Sequence, residues 1–564
     1  MLKILVTITI FLGVIMEKRF YNISNKKPFL LLSLAVIAAL AACQNVDKKS
    51  QSSQEPEYNI VRPTITPDYN TYAIGAEPAG FNMTYYSDIY SRGFAWLTDL
   101  TAQDSKLYLV QSDKGQEADF TNATLVEGTS VEIEVKKDGT FTSKDGSIPT
   151  KKGSGSNEVN LNLYSHKVHV ENLEKGKAYS YKIGSEQGWT YGAFVVEKEA
   201  AKSITAIHTS DAQTKDNSKL NVWRNTFVKA VDQAGKGLDF ALYNGDQFDQ
   251  NNSSGKDGTP ARFLRHTKAI DIIADYKFDI PYMASSGNHE PSVVYSNYLT
   301  GDINYANWAD DGCYYSFDYD FAHFAVLNTN NMNDAQINWL KEDLDKSNNA
   351  KWKIVMLHIS PYSTGDHSNK SENQKIVEKL TPVFSEKHVD LVFQAHDHTY
   401  NKTLPYKWDA AGYTTTYNNA DVVNLSPKTE TKDERVYDKN PNGTYYVTTG
   451  AAGHRQGAAE SDGVWAEVVK DGDEWKGLNS SKTFLSNKYK IECGTLKYDN
   501  QYESYKVGSY TSAQDYHKGD LATGNVNAPM FGVLNLTEST LSYDVYTAKE
   551  NEVKLFDSID VLKA

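Results

Sequence analysis

Between residues 203 and 400, short apolar runs alternate with amphipathic stretches, and five of the runs stop on a cluster of Asp, Asn or His. Residues 204–208, 240–243, 282–284, 323–327, 354–357 and 391–393 read as strands. Residues 220–234, 261–274, 335–344 and 373–384 read as helices, with Asn333 or Asp334 capping the third. Such alternation builds an α/β core, and these cores present their ligand-binding residues beyond the carboxyl ends of parallel strands.

The five clusters are Ser210-Asp211-Ala212-Gln213, Gly245-Asp246-Gln247-Phe248-Asp249, Gly287-Asn288-His289-Glu290, Leu357-His358 and Ala395-His396-Asp397-His398. A single Asp after a strand carries no information. Five clusters in this order supply carboxylates, an amide oxygen and imidazoles, the donor set that two adjacent hard-to-borderline cations take. Gly245 and Gly287 are expected to let the backbone turn sharply so that the next side chain faces the metals.

These motifs, with Tyr314-Tyr315-Ser316-Phe317 and the run 443–453 ending in Gly450-Ala451-Ala452-Gly453, resemble the calcineurin-like metallophosphoesterases, in particular their purple acid phosphatase-like branch. The resemblance runs from about residue 60 to the C-terminus, outside an insert at about 456–520. It implies a four-layer αββα sandwich over 203–564. It also implies that Asp211, Asp246 and His398 hold one metal with Gln213 as a weak ligand, while Asn288, His358 and His396 hold the other and Asp246 bridges both. In the family, His289 lies beside the phosphate as a proton donor or charge stabiliser, and Asp249 matches the residue that orients it. His367, nine residues after His358, matches the place of a phosphate-contacting His and is a second acid candidate.

Three departures from the family pattern bear on the metals. Asp249 stands where purple acid phosphatases carry the Tyr that binds ferric iron and gives the colour. Gln213 replaces a His common in the wider superfamily, which leaves Fe, Mn, Zn or Ca open. Ala395 replaces a Gly before His396. His454 and Arg455 follow the 450–453 turn and are read as surface residues or as residues that reach substrate, whereas His208, His266, His323, His388 and His517 are read as structural residues without partners.

Residues 59–198 show alternating apolar runs such as 131–135, 159–163 and 168–170 between Gly, Asp, Asn and Ser clusters, the pattern of an all-β sandwich. The segment 166–189 resembles the last strands of the fibronectin type III-like domain that precedes the catalytic domain in purple acid phosphatases. His166 and His169 are read there as strand surface residues. Residues 403–441 read as long loops or small inserts, and 531–536, 541–546 and 557–561 as closing strands.

The first 43 residues carry Lys3, Lys18, Arg19, Lys26 and Lys27 against Glu17 alone, within a chain of net charge −14. A basic stretch, an apolar run too short to span a bilayer and small residues before a cysteine make a processed leader, 1–43. Leu40-Ala41-Ala42-Cys43 resembles the bacterial lipobox, which implies lipidation of Cys43, and Met16 is the expected start. Residues 44–58, rich in Ser, Gln, Lys and Glu, read as a solvated tether. Cys313 and Cys493 are left as one bridge or two thiols.

The expected function is hydrolysis of an extracellular phosphate ester, an acid phosphatase-like reaction in which a hydroxide shared by two metals attacks phosphorus, on the outer face of a bacterial membrane. The alternatives are a phosphodiesterase or nucleotide hydrolase, and a non-catalytic surface lipoprotein that binds phosphorylated polymers. The negative charge argues against sequence-independent nucleic acid binding, which depends on Lys and Arg neutralising phosphates.

Overall fold

The computed structural model describes residues 58, 60, 62, 72–136, 141–144, 160–198, 200–214, 217–247, 259–290, 301–303, 313–362, 371–398, 400–403, 405–409, 421–424, 427–453, 465–471, 474–478, 491–492, 504–508, 528–549 and 552–564. The expected leader, Met16, Cys43 and nearly all of the tether lie outside these residues, as does Cys493, the candidate partner of buried Cys313. Among the described residues no helix is long and apolar enough to cross a membrane.

Among the described residues nine strands form the N-terminal region: β1 Ala79–Thr84, β2 Arg92–Thr98, β3 Lys106–Gln111, β4 Thr124–Glu127, β5 Thr129–Val135, β6 Phe141–Ser143, β7 Leu161–Val170, β8 Ala178–Ser185 and β9 Gly188–Val195. They make a five-stranded sheet, β1-β2-β7-β5-β6, and a four-stranded sheet, β4-β3-β8-β9. Strand period puts alternate residues on one face, so Leu107 and Leu109 of β3 and Tyr181 and Ile183 of β8 meet Phe81, Phe94 and Trp96 in one buried cluster. His166 is not the surface residue its sequence context suggested. It is buried between Ser105 Oγ, 2.8 Å from Nδ1, and Thr98 Oγ1, 2.7 Å from Nε2, because hydroxyls on neighbouring segments satisfy a ring that alternation places inward. His169, by contrast, has a 44 % exposed side chain.

The rest of the chain carries β10 Ile204–Thr209, β11 Phe240–Asn244, β12 Tyr282–Ser285, β13 Tyr315–Tyr319, β14 Ala322–Val326, β15 Trp352–Ile359, β16 Leu391–Ala395, β17 Tyr400–Thr403, β18 Tyr406–Asp409, β19 Asp421–Asn424, β20 Lys428–Lys432, β21 Arg435–Lys439 and β22 Tyr445–Thr449. Then come β23 Trp465–Asp471, β24 Glu474–Leu478, β25 Ile491–Glu492, β26 Ser504–Gly508, β27 Met530–Leu536, β28 Thr540–Lys549 and β29 Glu552–Leu562. Among the described residues five helices accompany them: α1 Asn217–Ala234, α2 Thr259–Asp271, α3 Ala274–Lys277, α4 Asp334–Lys346 and α5 Ser371–Glu386.

One sheet has eight strands, β12-β11-β10-β27-β28-β29-β21-β20, and the other seven, β13-β14-β15-β16-β22-β17-β25. β10, β11 and β12 are parallel in the first, as are β14, β15, β16 and β22 in the second. Ala206, Leu242 and Met283 of the first sheet share a buried cluster with Phe324, Ile354, Met356 and Phe393 of the second. The opposite faces meet helices: Ile207, Ala241 and Tyr243 pack with Trp223 and Phe227 of α1 and Ile270 of α2, while Val355, Leu357 and Val392 pack with Leu340 of α4 and Leu380 of α5. Helix α4 begins at Asn333, whose side chain accepts from Gln336 N at 2.9 Å.

Two expectations need correction. The helix expected over 261–274 ends at Asp271, and a separate short helix, α3, follows. Residues 403–441 are not simply loops: β20 and β21 pair and extend the edge of the eight-stranded sheet through Asp438 and Lys439 against Val561 and Leu562. The polar sequence of β20, with its exposed side chains, hides this because an edge strand need bury neither face.

The N-terminal sheets are tied to the remainder by buried polar groups. The Asp271 carboxylate accepts from Gly80 N at 2.7 Å and Tyr72 OH at 2.5 Å, and Lys277 Nζ donates to Phe81 O and Asn82 Oδ1. Phe81 stacks on Phe278 with centroids 4.8 Å apart.

Candidate metal centre

Parallel strands of both sheets end at one edge, and the five sequence clusters meet there. Asp211 follows β10, Asp246 follows β11 and Asn288 follows β12, all from the eight-stranded sheet; His358 lies at the end of β15, and His396 and His398 follow β16, from the seven-stranded sheet. Ligand atoms of Asp211, Asp246 and His398 lie within 4.8 Å of one another, and so do those of Asp246, His358 and His396. Asp246 belongs to both sets. Asn288 joins the second through Oδ1, 3.0 Å from His358 Nε2, and Gln213 joins through Nε2, which donates to Asp246 Oδ2 at 3.1 Å.

The turns that carry these side chains are unusual. Asp211, Gln213, Asp246, His396 and His398 all have φ between +39° and +75°, a conformation that costs an L-residue about 1–2 kcal/mol. Surrounding hydrogen bonds hold it: Asp211 N donates to Gly245 O, Gln213 N to Asp246 O and Ala212 N to Tyr243 OH. Gly245 adopts φ +82°, as its turn requires. Gly287 does not turn through positive φ. It is glycine because a Cβ would sit 2.2 Å from both the N and Oδ1 of Asp246, so its role is close approach. Gly453 likewise packs against Ala212 O, where a Cβ would come within 1.8 Å, which gives the 450–453 turn a place behind the first ligand loop.

The electrostatics favour cations. Burial works against the Asp246 charge, yet His358, His289 and His396 beside it hold its carboxyl below the ordinary range. Burial also opposes charge on His358, and Asp246 overcomes it, raising the imidazole above its usual value. His358 Nδ1 donates to Asn244 O at 2.8 Å, which leaves Nε2 facing Asn288 Oδ1 at 3.0 Å and Asp246 Oδ2 at 3.3 Å. An imidazole nitrogen surrounded by oxygen acceptors is satisfied by a proton or by a metal, and this second-neighbour carbonyl fixes the tautomer that a metal needs. Asp211 Oδ1 is buried without a hydrogen bond and lies 3.3 Å from His398 Nε2. The donors present therefore fit divalent or mixed-valence cations.

His289 sits at the rim, its side chain 17 % exposed, with Nε2 3.7 Å from Asp246 Oδ2 and its backbone N donating to Asp246 Oδ1. Asp249 and His367, the other catalytic candidates, lie outside the described residues, as do His454, Arg455 and His517. Three residues read as partnerless have partners, among them His266, whose Nε2 lies 3.6 Å from Glu290 Oε1. His208 Nδ1 lies 2.8 Å from Tyr543 OH and 3.0 Å from Thr449 Oγ1, and His323 sits between Asp318 and Asp343.

Sequence reasoning missed two supporting residues. Glu290 is buried and accepts from the backbone N of Asp246, Gln247 and Gly287 at 2.8, 2.6 and 2.9 Å. Its place in the third cluster was visible, but its partners were not. Asn330 Nδ2 donates to Gly287 O at 2.8 Å from a segment with no motif to mark it.

Residues 204–400 match the family model described as calcineurin-like phosphoesterase. Acid phosphatase type 7 of Mus musculus is 29 % identical over 321 residues, 52 % of this chain and 64 % of that protein. Purple acid phosphatase 21 of Arabidopsis thaliana is 27 % identical over 195 residues, 32 % of this chain and 38 % of that protein. The chain thus spans less than two thirds of the length of these relatives. Among solved structures, a purple acid phosphatase from yellow lupin (Lupinus luteus) seeds superposes with a TM-score of 0.53 at 14 % identity, covering 86 % of this chain and 75 % of that one. The family match spans all five ligand clusters, and the lupin enzyme shares the fold that gathers them: residues 204–400 form a calcineurin-like metallophosphoesterase domain, and the chain is similar in sequence to the acid and purple acid phosphatases of mouse and Arabidopsis.

Proposed function

We propose that this protein is a metal-dependent phosphoesterase, an acid phosphatase-like phosphomonoesterase that hydrolyses an extracellular phosphate ester at a two-cation centre. The observation that carries the proposal is the sharing of Asp246 between two buried carboxylate and imidazole sets. Asp211, His398 and Asp246, with Gln213 alongside, would hold one cation; Asn288, His358, His396 and Asp246 would hold the other. Cations bound there supply Lewis acidity, lowering the pKa of water and neutralising charge on the phosphoryl oxygens.

The protein's own groups do the remainder. Asp246, pinned by the backbone N of His289, keeps the two ligand sets in register. His289, at the rim, stands where it can donate a proton to a departing alkoxide or steady the phosphoryl charge; the family resemblance assigns Asp249 as its orienting carboxylate and His367 as a second donor. The names of the mouse and Arabidopsis relatives support the monoester reading. The architecture is read as an αββα sandwich behind a fibronectin type III-like domain, and the molecule as lipid-anchored through Cys43 on the outer face of a bacterial membrane.

Parallel assays on aryl phosphate monoesters and diesters, after chelation and after return of Mn, Fe, Zn or Ca, test the proposal. Monoester turnover that disappears with chelator and returns with metal is expected. Turnover insensitive to chelator refutes metal dependence, and preference for the diester replaces the monoester assignment.

A further inference from the structure

We propose that Glu290 is a positioning residue that sets the spacing between the Asp246 and Asn288 ligand loops, and through it the spacing of the two cation sites. The inference rests on the metal-centre reading above and adds a residue that holds no metal itself. Three backbone N–H groups converge on its one carboxylate. Oε2 accepts from Asp246 N at 2.8 Å and Gly287 N at 2.9 Å, and Oε1 accepts from Gln247 N at 2.6 Å. Asp246 and Gln247 belong to the loop after β11, and Gly287 to the loop after β12, so a single side chain staples the loop of the shared ligand to that of Asn288.

The geometry leaves this staple no slack. A Cβ on Gly287 would fall 2.2 Å from Asp246 N and 2.7 Å from Glu290 Oε2, so the two loops touch at the point where the carboxylate joins them. Glu290 is only 2 % exposed, which removes water as a substitute acceptor. From the other side, His266 of α2 brings Nε2 to 3.6 Å of Oε1, so the helix that covers the sheet also backs the staple. Asp246 keeps φ +56° within this arrangement. Three hydrogen bonds to one carboxylate fix both loops at once.

Glu290→Gln retains the size of the side chain but turns one acceptor into a donor that faces a backbone N–H. Glu290→Asp retains the charge and shortens the reach. Mn²⁺ binding is measured by calorimetry on both variants, on the wild type and on Leu344→Ala, a core variant in α4 whose carbonyl accepts from Lys353 at the start of β15, the opposite end of that strand from His358. Exchange coupling between the bound Mn²⁺ ions is read by electron paramagnetic resonance. Glu290→Gln is expected to weaken Mn²⁺ binding about 10–100-fold and to alter the exchange-coupled spectrum, with Glu290→Asp between it and the wild type; Leu344→Ala, though less stable, keeps both properties. Wild-type affinity and coupling in Glu290→Gln would overturn the inference, as would a loss no larger than that of Leu344→Ala. Should Glu290→Gln not fold, Glu290→Asp is judged by the same two results. Wild type that binds neither Mn²⁺ nor Fe²⁺, Zn²⁺ or Ca²⁺ in the same titration overturns the metal centre and this role together, whereas wild type that binds two and hydrolyses no ester overturns the phosphoesterase reading alone.

Discussion

The two large sheets contribute to the candidate centre in different chemical kinds. The eight-stranded sheet supplies oxygen: Asp211, Asp246 and Asn288, each on a turn just beyond a parallel strand. The seven-stranded sheet supplies nitrogen: His358, His396 and His398. Asp246 belongs to both ligand sets and so meets imidazoles of each. The difference teaches where the burden falls. Carboxylates buried without countercharge would be costly, so the oxygen side needs either cations or the imidazoles opposite, while the imidazoles can be neutral and need only orientation, as His358 receives from Asn244 O.

The largest test of this division is Asp246→Asn. It keeps the shape but removes the charge common to both sets, and several kcal/mol of transition-state stabilisation is worth about three orders of magnitude in rate. Aryl phosphate hydrolysis should fall by about that factor while circular dichroism stays native. Retained turnover would show that the sheets do not share a ligand.

His398→Ala sharpens the comparison from the nitrogen side. It strips the Asp211 set of its imidazole and leaves Asp246, His358 and His396 together. Metal analysis should find one cation per chain where two are predicted for the wild type. Gly287→Ala probes the contact between the oxygen-bearing loops. Its Cβ would overlap Asp246, and overpacking of this kind costs about 1–3 kcal/mol, measurable by urea unfolding.

His323 marks a different use of histidine on the seven-stranded sheet, remote from ligation. Burial opposes its charge, but hydrogen bonds to Asp318 and Asp343 at 2.7 and 2.9 Å overcome this and raise its pKa to about 9. A raised folded pKa stabilises fully below the unfolded value of about 6.5 and loses that contribution as pH rises through about 9. His323→Gln should therefore cost about 1–3 kcal/mol at pH 6 and much less at pH 10. The smallest effect is expected for Asn333→Ala, which removes the α4 cap for about 1 kcal/mol.

The ligands were legible because each follows an apolar run on a turn of short polar residues, a local signal. Asp211, Asp246, Asn288, His358, His396 and His398 all occupy one edge as their order suggested. What could not be read is the set of long-range partners. His208 reaches Thr449 and Tyr543, hundreds of residues away, and His166 is buried because Thr98 and Ser105 happen to flank it in space. Gly287 was legible as a necessary glycine, but the reason was its distance from Asp246, not its own φ. Strand β20 escaped because an exposed edge carries no hydrophobic alternation, and β21 because its sequence buries Tyr437 while leaving Val436 exposed. Asp249 and His367 lie outside the described residues and stay with the proposal.

The edge where the two sheets meet is proposed to hold two cations. Elemental analysis of wild-type protein purified without chelator tests it most directly: two equivalents of Fe, Mn, Zn or Ca per chain are predicted, and one equivalent or none would contradict the account.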